Sequence, residues 1–222
     1  MMEISAKDIK KEFIREAAGT NVYTAVNTCS MELRSGSLTV LKGRSGGGKT
    51  TLMNMLAGIL KPTEGQILYD GRDIYSMNDD ELSEFRNKKT GYVPQGKSAV
   101  ASLTVRENIL LPCMLFGENA EDKADDLIKR FDIENIKNAY PEELSGGELR
   151  RMSIARALIR EPEILFADEP TGDLDDENTE LVFKLLKEQA KMGKTVFVVT
   201  HEDTAEEYAD KVYLMRGGKL EG

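Results

Sequence analysis

A glycine-rich loop at residues 43–50, reading Gly-Arg-Ser-Gly-Gly-Gly-Lys-Thr, constrains the fold of this chain most strongly. It matches the pattern G-x-x-x-x-G-K-S/T and lies between a β-like run, Ser37 to Lys42, and a helix-compatible stretch, Lys49 to Ala57. Glycines let backbone N–H groups close around phosphate oxygens, and the following helix directs its positive end at the same place. The loop therefore predicts a nucleotide-phosphate site at a strand-to-helix junction.

Within this loop, two side chains have specific expected roles. Lys49 carries the positive charge that should reach the β- and γ-phosphates, and the Thr50 hydroxyl should bind Mg²⁺. A flexible glycine turn ahead of a helix is the alternative, which the flanking strand and helix disfavour. The expected nucleotide contacts of the loop are Gly43, Arg44, Ser45, Gly46, Gly47, Gly48, Lys49, Thr50 and Thr51.

A pair of acids follows the apolar run Ile164 to Ala167. A buried strand rarely ends on two carboxylates, here Asp168 and Glu169, unless they bind a cation. Because side chains alternate along a strand, we expect the two to point in different directions. Asp168 is therefore assigned to Mg²⁺, and Glu169 is the predicted general base for the water that attacks the γ-phosphate. A solvent-exposed acidic turn before Pro170 is the alternative.

Alternating β-like and helical runs predict one α/β domain with a mainly parallel sheet, preceded by an N-terminal antiparallel β region. Strand patterns disappear between residues 96 and 160, so this segment is predicted to be an inserted helical lobe. Residues 1–95 and 161–222 then form the nucleotide-binding core lobe of the single domain 1–222. Strands are expected at 2–5, 22–26, 30–33, 66–69, 90–94, 164–167 and 194–200, and helices at 79–87, 104–111, 120–131, 146–160 and 178–191.

Composition and charge narrow the classes of partner. Of the 222 residues, 30 are Lys or Arg and 39 are Asp or Glu, and the resulting net charge of -9 disfavours nucleic acid as a partner. The longest apolar stretch, Ile109 to Phe116, is less than half of the ~20 residues needed to cross a bilayer. The first residues lack the apolar segment of a secretory signal, which favours the cytosol. Cys29 and Cys113 form no pattern typical of a disulfide framework or a zinc site.

Residues 144–148 read Leu-Ser-Gly-Gly-Glu ahead of a predicted helix. Ser145 and Glu148 can form a capping box. A cap does not need two glycines in the first turn, where each costs about 1 kcal/mol relative to alanine. Close approach of a phosphate to bare backbone would explain Gly146 and Gly147.

The Leu-Ser-Gly-Gly-Glu segment, followed by Ala-Arg-Ala-Leu at 155–158, resembles the signature sequence of the ABC ATPases, and the resemblance covers nearly the whole chain. Gln95, in Tyr-Val-Pro-Gln, is similar to the family's loop glutamine, which contacts Mg²⁺ and water. Asp175 lies in a segment similar to the D-loop. His201 is similar to the switch histidine that donates to the γ-phosphate, while the family's base is the Glu at position 169.

This resemblance also implies partners. In the family, the signature Ser145-Gly146-Gly147 serves the nucleotide held by the opposite cassette, so we expect an ATP-induced head-to-tail homodimer that hydrolysis opens. The dimer is expected to move membrane permease subunits, which places the cassette peripherally at the inner face of the cell membrane. An N-terminal aromatic stacks on adenine in the family. Phe13 is the first choice here, with Tyr23 as the alternative.

The segments reading GILKPTEG, SLTVREN and ADEPTGDLD look most like cassettes that serve lipoprotein release, macrolide efflux and antimicrobial-peptide resistance. Two positions depart from those relatives. Gly96-Lys97-Ser98 replaces a segment that usually holds a large side chain facing the membrane subunit, and Leu149 stands where Gln is common. The departure after Gln95 leaves the permease, and with it the cargo and the direction of transport, open.

Other classes of ATPase share part of this set of motifs. A regulatory cassette that acts on a membrane partner without moving cargo has the same sequence motifs. Chromosome and DNA-repair ATPases need a long coiled coil, and ribosome-acting factors need tandem cassettes; neither pattern occurs here. A small-molecule kinase is disfavoured by the signature, Gln95 and His201.

Overall fold

The computed structural model describes residues 2–15, 21–96, 98–172 and 174–221. The strands formed by these residues are β1 (Ile4–Arg15), β2 (Asn21–Leu33), β3 (Leu38–Lys42), β4 (Glu64–Tyr69), β5 (Arg72–Asp73), β6 (Thr90–Val93), β7 (Ile164–Asp168), β8 (Thr195–Thr200), β9 (Lys211–Arg216) and β10 (Lys219–Glu221). The helices are α1 (Lys49–Leu56), α2 (Asp79–Lys89), α3 (Val105–Met114), α4 (Glu121–Arg130), α5 (Gly146–Leu158), α6 (Asp176–Lys191) and α7 (Ala205–Tyr208).

The larger sheet has six strands in the order β10-β9-β3-β8-β7-β6. All neighbouring strands in it are parallel except the hairpin of β9 and β10. Every residue of β7 and β8 is buried, as expected for strands covered on both faces. The prediction of an α/β fold with a mainly parallel sheet is confirmed.

The smaller sheet has the order β2-β1-β4-β5 and is antiparallel, which confirms the predicted N-terminal antiparallel region. The predicted extents were too short, because β1 has 12 residues and β2 has 13. Register shifts interrupt their pairing between Ala6 and Ile9 and again near Lys11, and Asp8 has a φ of 49°. Such bulges break the two-residue alternation from which a strand is read, although the backbone stays paired.

Between β6 and β7 the described residues form helices and 3₁₀ turns and no strand. The capping boxes predicted at Thr104/Glu107 and Ser145/Glu148 are both present at the starts of α3 and α5. No helix among the described residues is long and apolar enough to cross a membrane.

Two hydrophobic clusters hold the layers together. One joins α3, α4, α5 and α6 to one face of the parallel sheet, and the other joins α1 and the antiparallel sheet to the opposite face. The helical segment therefore shares a core with the sheet rather than enclosing one of its own. This shared core fixes where the helical segment meets the edge of the sheet at which the strands end.

Candidate nucleotide site

The candidate site lies at the carboxyl edge of the parallel sheet. Because β3, β6, β7 and β8 run in the same direction, the glycine loop, Gln95, Glu169 and His201 all follow strands at one edge. Ligands of open α/β sheets bind at this edge. A cleft of ≈ 210 Å³ there is lined by Phe13, Tyr23, Ala25, Ser45, Gly46, Gly47, Gly48, Lys49, Thr50, Thr51, Gln95 and Glu169. A second cleft of ≈ 570 Å³ lies beside the same loop and includes Gly43, Arg44, Gly47 and His201 in its lining.

The loop's glycines have two distinct reasons to be glycine. A Cβ at Gly43 would lie 2.3 Å from the Met215 carbonyl oxygen, and one at Gly48 would lie 2.2 Å from the Ala25 carbonyl oxygen. These two positions are therefore required by the packing of the loop against β9 and β2. Gly46 instead has a φ of +75° and open space around its missing side chain, so it leaves backbone bare at the cleft.

Lys49 is buried at the start of α1 with its ammonium inside the loop. Its Nζ donates to the carbonyl oxygens of Gly43, at 2.7 Å, and Arg44, at 3.2 Å. It also lies 3.6 Å from Oε1 of Glu169. An ammonium has three N–H donors, so one remains for a phosphate oxygen when two bind the loop.

Asp168, the last residue of β7, is 2% exposed, and its Oδ1 has no hydrogen-bond partner among the described residues. Burial raises the pKa of the Asp168 carboxyl, while a hydrogen bond from Thr50 and the charge of Lys49 act in the opposite direction. A buried carboxylate oxygen without a partner is costly unless something binds it.

The oxygen atoms around Asp168 are of the kind that binds Mg²⁺. The Asp168 carboxylate and the Thr50 hydroxyl lie together, and Gln95 lines the smaller cleft together with Thr50. In the described part of the chain no group of three or more His, Cys, Asp or Glu residues could hold a metal. Mg²⁺ commonly binds through one or two protein carboxylates together with substrate phosphates.

Glu169 lies between two other predicted catalytic groups. Its Oε1 faces Lys49, and its Oε2 lies 3.0 Å from Nδ1 of His201. The backbone N–H of Glu169 donates to the Val199 carbonyl oxygen at 2.8 Å. Its φ is 45°, a left-handed conformation that costs a residue with a side chain roughly 1–2 kcal/mol.

Asp168 and Glu169 point to different surroundings, as predicted, but not because side chains alternate along a strand. Simple alternation along a strand does not apply, because β7 ends at Asp168 and the left-handed backbone of Glu169 turns the chain.

The contact with the Glu169 carboxylate also constrains the hydrogen bonds that His201 can donate. Nδ1 must carry a proton to donate to the carboxylate, so donation from Nε2 to a phosphate at the same time requires the doubly protonated ring.

The two candidate adenine-stacking residues lie together at the tip of the antiparallel sheet. Phe13 and Tyr23 are directly paired across β1 and β2, and both line the smaller cleft. Phe13 is 39% exposed and Tyr23 is 42% exposed, so each has ring surface available to a base. The sequence-based preference for Phe13 stays a prediction.

The signature segment lies outside both clefts. Ser145 accepts a hydrogen bond from the Glu148 backbone N–H, and Ser145 and Gly146 are exposed. A Cβ on Gly147 would lie 2.3 Å from Oδ1 of Asn178, and one on Gly146 would lie 3.1 Å from Leu174. A side chain on Gly147 would therefore displace Asn178, which is hydrogen-bonded to Asp175 at the start of α6, a contact that the sequence alone did not reveal.

Asp175 caps α6 and also lies outside both clefts. Its Oδ1 accepts from the Asn178 backbone N–H at 2.8 Å, and this hydrogen bond lowers the pKa of the Asp175 carboxyl. Asp175 therefore has a structural role within the chain. Its predicted contact with nucleotide stays a prediction, as does that of the signature.

Comparison with known proteins decides the family. The model of the family described as ABC transporter matches residues 26–172. The chain is an ATP-binding cassette of the ABC transporter family. The cassette is 38% identical to the lipoprotein-releasing system ATP-binding protein LolD of Bdellovibrio bacteriovorus, over 96% of this chain and 98% of that protein.

A second relative and a solved structure agree with this assignment. The cassette is 36% identical to the macrolide export ATP-binding/permease protein MacB of Chlorobaculum tepidum, over 90% of this chain and 31% of that longer protein. It also matches the dimeric post-hydrolysis structure of the ATP-binding cassette MJ0796 bound to ADP and Pi, with a TM-score of 0.90 and 31% identity, over 99% of this chain and 97% of that chain. The resemblance to the lipoprotein-release and macrolide-efflux cassettes is confirmed, and the chain is the ATP-binding subunit of an ABC transporter.

One buried residue near the site was missed by sequence reasoning. Arg150 on α5 is 8% exposed and contacts the backbone on both sides of Gln95. An arginine in a helix usually extends into solvent, so the sequence carries no signal that would have singled it out.

Proposed function

We propose that this cassette hydrolyses Mg-ATP and that ATP-driven dimerisation and hydrolysis move a pair of membrane permease subunits. The observation that carries the proposal is the unpartnered, buried Oδ1 of Asp168, next to Thr50 and to the glycine loop that holds Lys49. A cation there, together with the Lys49 ammonium, would neutralise a bound triphosphate.

Each residue at the site has a proposed role. Lys49 binds the β- and γ-phosphates, and Thr50, Asp168 and Gln95 hold Mg²⁺, which supplies charge stabilisation at the phosphates. Glu169 accepts the proton of the attacking water, and its Oε2 contact with Nδ1 of His201 keeps the carboxylate oriented. Backbone N–H groups of the loop and the start of α1 bind phosphate oxygens. Phe13 or Tyr23 stacks on the base.

The remaining nucleotide contacts are proposed to come from a second copy of the chain. Ser145 and Gly146 are exposed at the start of α5 and lie outside both clefts of their own chain. A helix start with bare backbone binds an anion well. MJ0796, a neighbour in structure, was solved as a dimer bound to ADP and Pi. We propose that residues 1–95 and 161–222 act as a core lobe and residues 96–160 as a signature lobe in such a dimer.

The names of the relatives indicate the type of membrane partner proposed for this cassette. LolD is named for a lipoprotein-releasing system, and MacB combines an ATP-binding part and a permease in one protein named for macrolide export. A permease partner would hold this cassette peripherally at the inner face of the cell membrane. Which permease it serves depends on contacts of the membrane subunit with the segment that follows Gln95.

The test is phosphate release by the purified protein with ATP, Mg²⁺ and no other phosphate acceptor. We expect turnover that stops in excess EDTA and returns when Mg²⁺ is restored. The Glu202→Gln variant, which changes a partly exposed acid next to His201, is the control for nonspecific loss of charge and should retain turnover. Undiminished turnover in EDTA, or ADP formation only with an added small-molecule acceptor and without phosphate release, would contradict the proposal.

A further inference from the structure

A buried arginine connects three parts of the candidate site that are far apart in sequence. Nη1 of Arg150 donates to the carbonyl oxygens of Pro94, at 3.3 Å, and Gly96, at 3.0 Å. Its Nη2 would lie 3.9 Å from a Cβ built on Gly172. Pro94 and Gly96 flank Gln95, and the Gly172 N–H donates to the Glu169 carbonyl oxygen at 3.3 Å.

The guanidinium therefore holds the backbone on both sides of Gln95 and packs against the turn that follows Glu169. Arg150 itself is on the second turn of α5, the helix whose first residues are the signature glycines. The capping box of Ser145 and Glu148 and the contact of Gly147 with Asn178 fix that helix start. The Gln95 segment and the signature are thus connected through one side chain and the first turns of one helix.

We infer that Arg150 is a positioning residue that couples Gln95 in one ATP site to the signature that the same cassette presents to the opposite site. The inference rests on the proposed function, since it requires Gln95 at the nucleotide and the signature across a dimer. With Arg150 in place, binding of ATP at one site sets the position of the signature at the other. The two sites of the dimer then hydrolyse ATP cooperatively.

The chemistry of arginine suits this role. Its planar guanidinium presents several N–H donors in fixed directions and stays charged when buried. Carbonyl oxygens that accept from a charged donor are bound more strongly than those that accept from a neutral one. A lysine at this position would keep the charge but offer a single point of attachment on a flexible stem.

Arg156 provides a matched control on the same helix. Its Nη1 donates to the Ser98 carbonyl oxygen at 2.9 Å, and its Nη2 donates to the Ser98 hydroxyl at 2.6 Å. It is half-buried and binds the same segment of chain, but it contacts neither carbonyl that flanks Gln95. A substitution there removes a comparable guanidinium without releasing Gln95.

The experiment measures the rate of hydrolysis against ATP concentration for the full-length wild type, Arg150→Met, Arg150→Lys and Arg156→Met. We expect the Hill coefficient to fall from near the two-site limit of about 2 to about 1 in Arg150→Met, with turnover reduced about tenfold. Arg150→Lys should restore part of the cooperativity, and Arg156→Met should keep the wild-type coefficient. Binding of a fluorescent ADP analogue should stay within about twofold in all variants, because the phosphate loop is untouched, and this reading excludes misfolding.

The outcomes separate the inference from the proposed function. A wild type that hydrolyses no Mg-ATP would overturn the proposed function itself. A wild type that hydrolyses ATP with a Hill coefficient of 1, or an Arg150→Met variant that keeps the wild-type coefficient, overturns only the coupling role. Equal loss in Arg150→Met and Arg156→Met would mean that both arginines merely support the fold.

Discussion

Glu169→Gln is the perturbation that tests the proposed chemistry most directly. Glutamine has the same shape as glutamate and removes one negative charge. It also leaves the left-handed backbone at this position unchanged, because both residues pay the same steric cost there. The substitution therefore removes proton acceptance by the carboxylate and its charge, which lies 3.6 Å from the Lys49 ammonium and 3.0 Å from Nδ1 of His201.

The expected effect differs between binding and hydrolysis. A positioned general base contributes about 10²–10⁴-fold to a rate, which is about 2.7–5.4 kcal/mol of barrier at about 1.36 kcal/mol per factor of ten. Binding should be equal or tighter. The lost carboxylate no longer competes with phosphate for Lys49, and it no longer repels the γ-phosphate.

The assay pairs single-turnover hydrolysis of radiolabelled ATP, with the protein in excess, and equilibrium binding of ATP in EDTA. Glu202→Gln removes a charge near the other nitrogen of His201, at 3.9 Å, and serves as the control with near-normal turnover. Loss of binding together with turnover in Glu169→Gln would refute the assignment and indicate a metal-binding or structural role. Hydrolysis within threefold of wild type would exclude Glu169 as the base.

Substitutions at Lys49, Asp168 and Ser145 test the other parts of the site. Lys49→Ala should lose most nucleotide affinity and turnover, measured by ATP binding and phosphate release, and normal turnover would mean that the loop's ammonium does not contact phosphate. Asp168→Asn in EDTA at pH 7.5 should raise the melting temperature by about 2–4 °C, since it replaces a buried carboxylate whose charge costs about 1 kcal/mol to desolvate. Burial raises the pKa of the Asp168 carboxyl in the folded protein, so the wild type becomes less stable as pH rises through that pKa. The difference in melting temperature between the two proteins must therefore shrink as pH is lowered, and a difference independent of pH would contradict this origin. In light scattering, Glu169→Gln should form a dimer with Mg-ATP. Adding Ser145→Arg should abolish that dimer, while adding Ser145→Ala, which loses only the cap, should not; an ATP-driven dimer in all three would show that Ser145 does not act across an interface.

Much of the fold and the main chemistry of the site follows from local sequence patterns. The glycine loop, the acids after Ala167 and the two predicted capping boxes each depend on residues within a few positions of one another. Such short-range patterns constrain backbone conformation directly, so they identified the strand-to-helix junction and the starts of α3 and α5. The order of these motifs along the chain also indicated the family before any contact between them was known.

Only the tertiary structure decided contacts between distant segments. The requirement for glycine at Gly48 comes from a carbonyl oxygen of Ala25, and a side chain at Gly147 would displace the side chain of Asn178. Arg150 is buried because segments more than twenty residues away on either side, at Pro94 to Gly96 and at Gly172, converge on it. The full length of β1 could not be predicted for a related reason. Its bulges interrupt the alternation of its side chains, and pairing with β2 and β4 on either side holds it extended. A residue's neighbours along the chain predict its backbone, whereas its burial and its partners depend on where the rest of the chain packs.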